Sequence, residues 1–277
     1  MEIKTVWSVY FSATGTTEKV VTTLAKTVAQ ELGAQYQTFS FNLPKSREDE
    51  LTFGPDDLVV MGVPVYAGRV PNLLLPYVRD KVKAQGALAI PVVLYGNRNF
   101  DDGLMELKNV MRGNGFMPVA AGAFVGEHSF STILGAGRPD ADDMALVDEL
   151  AHKAAEKVKG LTEAPTQAVE VEGCDPIRPY YTPRDRHGEP IKDFLKAKPK
   201  TDPDKCVKCG LCARLCPMGS IDPNDVSNVV GKCIKCCACV KKCPKGAKYF
   251  DHEGYLYHQH ELEDQYAGRR APSKIFL

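Results

Sequence analysis

Eight of the ten cysteines in this 277-residue chain fall into two runs of identical spacing. The runs read Cys206-x2-Cys209-x2-Cys212-x3-Cys216-Pro217 and Cys233-x2-Cys236-x2-Cys239-x3-Cys243-Pro244. Lys205, Val207, Lys208, Pro217 and Gly219 recur 27 residues later as Lys232, Ile234, Lys235, Pro244 and Gly246. A repeat of this kind implies a small pseudo-twofold unit. Three cysteines two residues apart can wrap a tight loop around three corners of an iron–sulfur cubane, and the fourth ligand must come from elsewhere. Zinc sites favour paired Cys-x2-Cys instead. Disulfide frameworks belong to secreted chains. This chain enters an apolar strand at Ile3, so a secretory leader is not expected.

The spacing resembles that of bacterial ferredoxins with two 4Fe-4S clusters, in which the fourth cysteine of each run ligates the other cluster. The resemblance implies Cys206, Cys209, Cys212 and Cys243 around the first cluster, and Cys233, Cys236, Cys239 and Cys216 around the second. One position departs from the repeat: Ile221 in the first half becomes Lys248 in the second. Two readings of Lys248 stand, a solvated surface lysine and a stem laid over a cluster with its charge nearby. Cys174 lies outside the spacing and Cys237 breaks the ligand register; both read as small packing residues.

Formal net charge is zero, so no nucleic-acid footprint is present. Lysines and arginines nevertheless dominate between Lys200 and Lys248. They offset the charge of anionic clusters and raise their potential, or are merely solvated, or dock an acidic partner. Lys235, Lys241, Lys242 and Lys245 are the candidates for steering such a partner. No apolar run reaches membrane-spanning length. Cluster cysteines need a reducing compartment, and the cytoplasm of an anaerobe fits.

Residues 1–160 alternate strand and helix patterns. Strands are expected at Ile3–Phe11, Gln35–Phe41, Leu58–Val63, Leu88–Tyr95 and Val119–Val125. Helices are expected at Thr17–Leu32, Pro71–Val82, Asp101–Met111 and Asp140–Val158. Five strands with intervening helices argue for an α/β, doubly wound, five-stranded parallel sheet, and order 2-1-3-4-5 is the common solution. The first strand runs into Ser12-Ala13-Thr14-Gly15-Thr16-Thr17, which opens a helix. Hydroxyls and a glycine at such a turn make an anion cradle; the plainer reading is a helix cap. No lysine and no G-x-G-x-x-G is present, which disfavours a nucleotide P-loop and a dinucleotide fold.

Those residues resemble the FMN phosphate loop of flavodoxins, Ser/Thr-x-Thr-Gly-x-Thr, at Ser12, Thr14, Gly15, Thr16 and Thr17. Two further loops lie at strand carboxyl ends, where ligands bind in this architecture. One is Pro64-Val65-Tyr66-Ala67-Gly68-Arg69-Val70-Pro71, with Pro64, Tyr66, Ala67 and Gly68 the candidates; the other is Tyr95-Gly96-Asn97-Arg98-Asn99-Phe100-Asp101-Asp102, with Tyr95 to Asp101 the candidates. The resemblance implies Tyr66 against one face of the flavin ring, Phe100 on the other side, and the carbonyl of Ala67 or Gly68 at flavin N5. The turn Gly126–Ser131 lies near the flavin or the domain interface, and its His128 is not assigned a catalytic role.

The whole chain is similar to flavodoxin–ferredoxin fusion proteins of anaerobic bacteria and archaea. That implies a flavodoxin-like FMN domain (1–160), a packed linker (161–203), a small α+β ferredoxin domain (204–250) and a tail (251–277). The tail should cover the ferredoxin domain or return to the first one. The function so implied is electron transfer between FMN and two 4Fe-4S clusters, with unnamed redox proteins as partners and a dimer among the options. The rival is an FMN-dependent reductase of a quinone, nitro compound or small oxidant, fed by its own clusters.

Overall fold

A strand buried on both faces needs helices on both sides of its sheet. Leu88–Tyr95 is such a strand, buried at all eight positions. The computed structural model describes residues 1–277. In chain order the elements are β1 (Thr5–Tyr10), α1 (Thr16–Leu32), β2 (Gln35–Ser40), β3 (Leu51–Phe53), β4 (Asp57–Pro64), α2 (Leu75–Lys81), β5 (Val82–Ala84), β6 (Leu88–Tyr95), α3 (Gly103–Gly113), β7 (Met117–Pro118), β8 (Ala121–Val125), α4 (Ala141–Lys159), β9 (Lys200–Thr201), α5 (Leu211–Leu215), α6 (Ala238–Lys241), β10 (Lys248–Tyr249), α7 (Glu253–Tyr266) and β11 (Lys274–Phe276).

Strands β2, β1, β4, β6 and β8 lie side by side and parallel in that order. This is the expected 2-1-3-4-5 order, that of a flavodoxin-like fold. The tail adds β11, antiparallel, to the open edge of β8, which removes a row of unpaired backbone groups. Helices α1 and α4 cover one face through Val20, Leu24, Val147 and Leu150. Helices α2 and α3 cover the other through Val78, Leu104 and Leu107. Each such side chain contributes roughly 1.5–3 kcal/mol by leaving water.

Several boundaries shift from the sequence pattern, among them the start of β1 from Ile3 to Thr5 and that of α3 from Asp101 to Gly103, and proline explains two others. The last long strand starts at Ala121 rather than Val119, after the short β7. The gap between β7 and β8 falls beside Pro91 of β6, which has no N–H to share. Helix α2 starts at Leu75 rather than Pro71, with Pro76 in its first turn; that ring would clash with the turn before it in a longer helix.

The linker and tail are bound to the sheet ends by buried polar groups. The Asp102 carboxylate is buried and accepts from the backbone of Cys174 and Arg178 and from the Arg178 guanidinium, at 2.7–2.9 Å. Tyr180 Oη donates to Val70 O at 2.8 Å, and Tyr181 N to Ala67 O at 2.9 Å. Buried Asn97 holds the tail with its whole amide. Its Nδ2 donates to Tyr266 O and Arg269 O, and its Oδ1 accepts from Ala271 N at 3.0 Å.

The cysteine-rich unit is closed by the β9–β10 pair and sits over the carboxyl ends of the sheet. Ile234 packs against the core on the α2/α3 face. Lys241 Nζ donates to His128 O at 2.6 Å and Ser131 O at 2.9 Å and pairs with Glu127. Arg47 reaches Pro217 O from the loop after β2.

The Arg178 hydrogen bond, aided by two backbone N–H groups, holds the Asp102 carboxyl well below its ordinary value against the opposing effect of burial. A depressed carboxylate stabilises the fold above the unfolded pKa of about 3.9 and loses that contribution as pH falls through the folded value. Asp102→Ala should therefore cost about 2 kcal/mol at neutral pH, with the difference shrinking below about pH 4. Urea titration checks the size and amide exchange of residues 174–178 the place. Equal stability of the two proteins at neutral pH would contradict the clamp.

Candidate cofactor and cluster sites

The two cysteine runs fold into near-copies. Left-handed residues at Lys208, Gly210 and Gly219 recur at Lys235, Cys237 and Gly246, so each loop curls its N–H groups inward. Ser220 N points at Cys216 Sγ and Ala247 N at Cys243 Sγ, both at 3.3 Å. One cavity is lined by Cys206, Cys209, Cys212 and Cys243. The other is lined by Cys216, Cys233, Cys236 and Cys239. The fold thus groups the cysteines in the crossed sets that the resemblance implies. All ten cysteines are free thiols, and no three potential ligands converge as a single ion would require.

The two cavities differ in surroundings. Cys209 is exposed and Val207 beside it is 60% exposed, whereas Cys236 is buried. Burial pushes the free thiols of Cys236 and Cys239 up to about 12. Cys237 is buried at the second cavity, with Sγ 3.3 Å from Tyr255 Oη. Cys174 is exposed rather than packed, because its backbone, not its side chain, is what Asp102 holds.

The turn after β1 keeps its polar groups unspent. The N–H groups of Ala13, Thr14, Gly15, Thr16 and Thr17 have no protein acceptor, and the hydroxyls of Thr14, Thr16 and Thr17 have no protein partner. Gly15 is left-handed, φ 105°, at the cap of α1. Ser12 Oγ accepts from Glu18 N at 3.0 Å, and Ser12 N donates to Asn42 Oδ1 at 2.6 Å. Consecutive free donors at a helix N-terminus fit a phosphate dianion without a basic side chain.

Tyr66 is half-buried, on the side of the loop that faces Ser129 and the second cysteine set. Burial and the nearby thiols push its phenol up. His128 lies against Gly96: a Cβ there would meet its ring at 2.3 Å. Pro64 ends β4 and is half-buried.

Other residues of these loops are used differently from the resemblance. Ala67 and Gly68 are both left-handed, and this tight turn sends the Ala67 carbonyl to Tyr181 N and the Gly68 carbonyl to Asp102 N. Each carbonyl thus already accepts one hydrogen bond within the chain, which leaves one lone pair for a flavin N5. Tyr95 alternates with Ala89 and Val93 into the core, and its hydroxyl donates to Pro272 O. Phe100 packs on Tyr95 in that core, 4% exposed, so it does not flank a flavin. Asn97 holds the tail. Arg98 pairs with Asp101 and lies over Tyr181 at 5.0 Å, and Asn99 Oδ1 accepts from Asp101 N. Lys235 and Lys241 are not free to steer a partner. The buried Lys235 Nζ donates to Leu195 O, and Lys241 joins the two units. Lys242 and Lys245 are exposed.

Residues 199–222 match the family described as the 4Fe-4S binding domain. The second run of cysteines repeats the domain's spacing and backbone turns. No curated protein matches the chain. Among solved structures it is similar to a flavodoxin from the domain Archaea, at 16% identity over 56% of this chain and 99% of that one, TM-score 0.41. The two-electron reduced flavodoxin of Megasphaera elsdenii matches at 20% identity over 55% and 98%, TM-score 0.37. An apo NADH:FMN oxidoreductase matches at 14% identity over 59% and 91%, TM-score 0.41.

Sequence reasoning passed over Asn42 and gave Asp102 no role within its loop, since single polar residues at loop ends carry no pattern. It left Lys248 open; the structure buries it, 3% exposed, in the wall of the 4Fe-4S domain's first cavity, which sets aside the solvated reading. Cys216→Ala should remove the iron held at the Cys233 set and leave that at the Cys206 set. Metal analysis with EPR checks this: loss of about half the iron is expected, and loss from the Cys206 set alone would show uncrossed ligation.

Proposed function

We propose that the chain relays electrons between an FMN on the flavodoxin-like sheet and two 4Fe-4S clusters in the cysteine-rich unit. The observation that carries this reading is the docking of the second cysteine loop on the carboxyl ends of the sheet, where Ile234 packs against the core and Lys241 Nζ donates to His128 O and Ser131 O. FMN exchanges one or two electrons and each cluster one, so a chain holding all three would couple two-electron to one-electron carriers.

The chain's own residues account for the rest. Ser12, Thr14, Gly15, Thr16 and Thr17 would hold the phosphate, and Tyr66 would pack beside the ring. Ile234 fills the boundary with apolar surface, and Lys241 keeps the units docked. Burial, then Lys241, pushes His128 down to about 3, so its imidazole is neutral near pH 7 and donates no proton as a cation. The Cys206 set opens outward beside Val207, Lys208 and Lys245. A redox protein with an acidic face would dock there, steered by charge. Exposed ligands such as Cys209 suit a reducing compartment, so we place the protein in the cytoplasm. No helix is long and apolar enough to cross a membrane.

Gly15→Val tests the flavin half. A β-branched residue resists the left-handed backbone at Gly15, so the cradle should distort. We expect at least about a tenfold loss of FMN affinity, measured by fluorescence titration on protein of unchanged iron content. Full affinity in the variant would leave the loop as a helix cap only.

A further inference from the structure

Lys248 is a buried cation with little to answer its charge. Its Nζ donates to Val226 O, and no carboxylate forms an ion pair with it, whereas Lys200 and Lys205 nearby each have one. An ammonium has three donors, and a buried charge is costly unless it is paired. Lys248 lines the cavity of Cys206, Cys209, Cys212 and Cys243, and its charge favours the thiolate of Cys212. The exposed Asp225 feels that charge without pairing with it, and the group those thiolates hold would face it across the cavity. At the other site the equivalent position is Ile221, in a wall that also holds Met218, Val229, Ile234 and Phe250. Lys232 at that wall is exposed, and solvent screens it. Lys235 is buried beside Cys233 and its charge also favours that thiolate, but it does not line the cavity: its Nζ donates to Leu195 O and lies over the Phe194 ring at 5.4 Å. The charge of Lys248 also reaches Cys239, so its effect is a difference between two sites.

We propose that Lys248 makes the Cys206 set the higher-potential site of the two, so that a single electron rests at the site away from Tyr66. Reduction adds one negative charge to a cluster. A buried cation beside it stabilises the reduced form, and an apolar wall disfavours it. One electron leaves the Cys233 site, which is oxidised, and enters the Cys206 site, which is reduced; no bond or proton changes. The assignment rests on the relay reading in that both sites must hold clusters.

An EPR-monitored redox titration of iron-replete protein decides it. The parent should show two separated one-electron waves. K248I, which copies Ile221, should lower the upper wave by 59 mV or more, a tenfold change for a one-electron couple, and move the lower wave less. K248M keeps the stem without the charge and should do the same. K248R keeps the charge and should leave the upper wave in place. Unchanged waves in iron-replete K248I and K248M, or equal shifts of both waves, would overturn this assignment alone. A parent holding iron for one cluster would overturn the relay reading and this assignment with it.

Discussion

The arrangement depends on the docking of the second cysteine loop onto the carboxyl ends of the sheet. Ile234, partly buried, packs against the core of the flavodoxin-like domain, and Lys241 spends its three donors on Glu127, His128 and Ser131. Apolar burial supplies the attraction, and the lysine fixes orientation, since a half-buried ammonium with all three donors in use tolerates few other geometries. The same loop carries Cys233 and Cys236, so the contact that joins the units also brings one cysteine set to the sheet.

The sheet ends serve as anchors elsewhere too. Asp102 holds the linker, Asn97 holds the tail, and the tail then pairs as β11 with β8. Asp143 fastens the return further, pairing with Arg138 and accepting from Ser273 Oγ at 2.7 Å. These polar groups lie where a flavodoxin-like fold alone would expose open loops. Their cost of burial is met by partners from the added segments, which explains why several loop residues face the linker and tail rather than a ligand.

Much of this was legible in the chain. The alternation of apolar strands with helical repeats gave the fold class, whose common order is the one found, and the resemblance of the cysteine spacing implied the two sets of cysteines that the cavities bring together. Short-range chemistry was legible as well: Ser12 to Thr17 carry the composition of an anion cradle. What was not legible depends on which way a loop residue faces. Tyr95 and Phe100 have the right type and position for a flavin, yet strand alternation and the turn at Gly103 send both into the core. Lys235 and Lys241 look like surface charges in a basic segment, and only docking reveals them as interior contacts. β11 is too short to stand out, because its strand character comes from the edge it completes.

The central claim is that electrons pass within one chain. Flash reduction of the flavin in fully loaded protein, over a tenfold range of protein concentration, tests it most directly. Transfer to the clusters at a rate independent of concentration is the result this account predicts. A rate that rises in proportion to concentration would mean that electrons cross between molecules, and that the docked geometry is not their path.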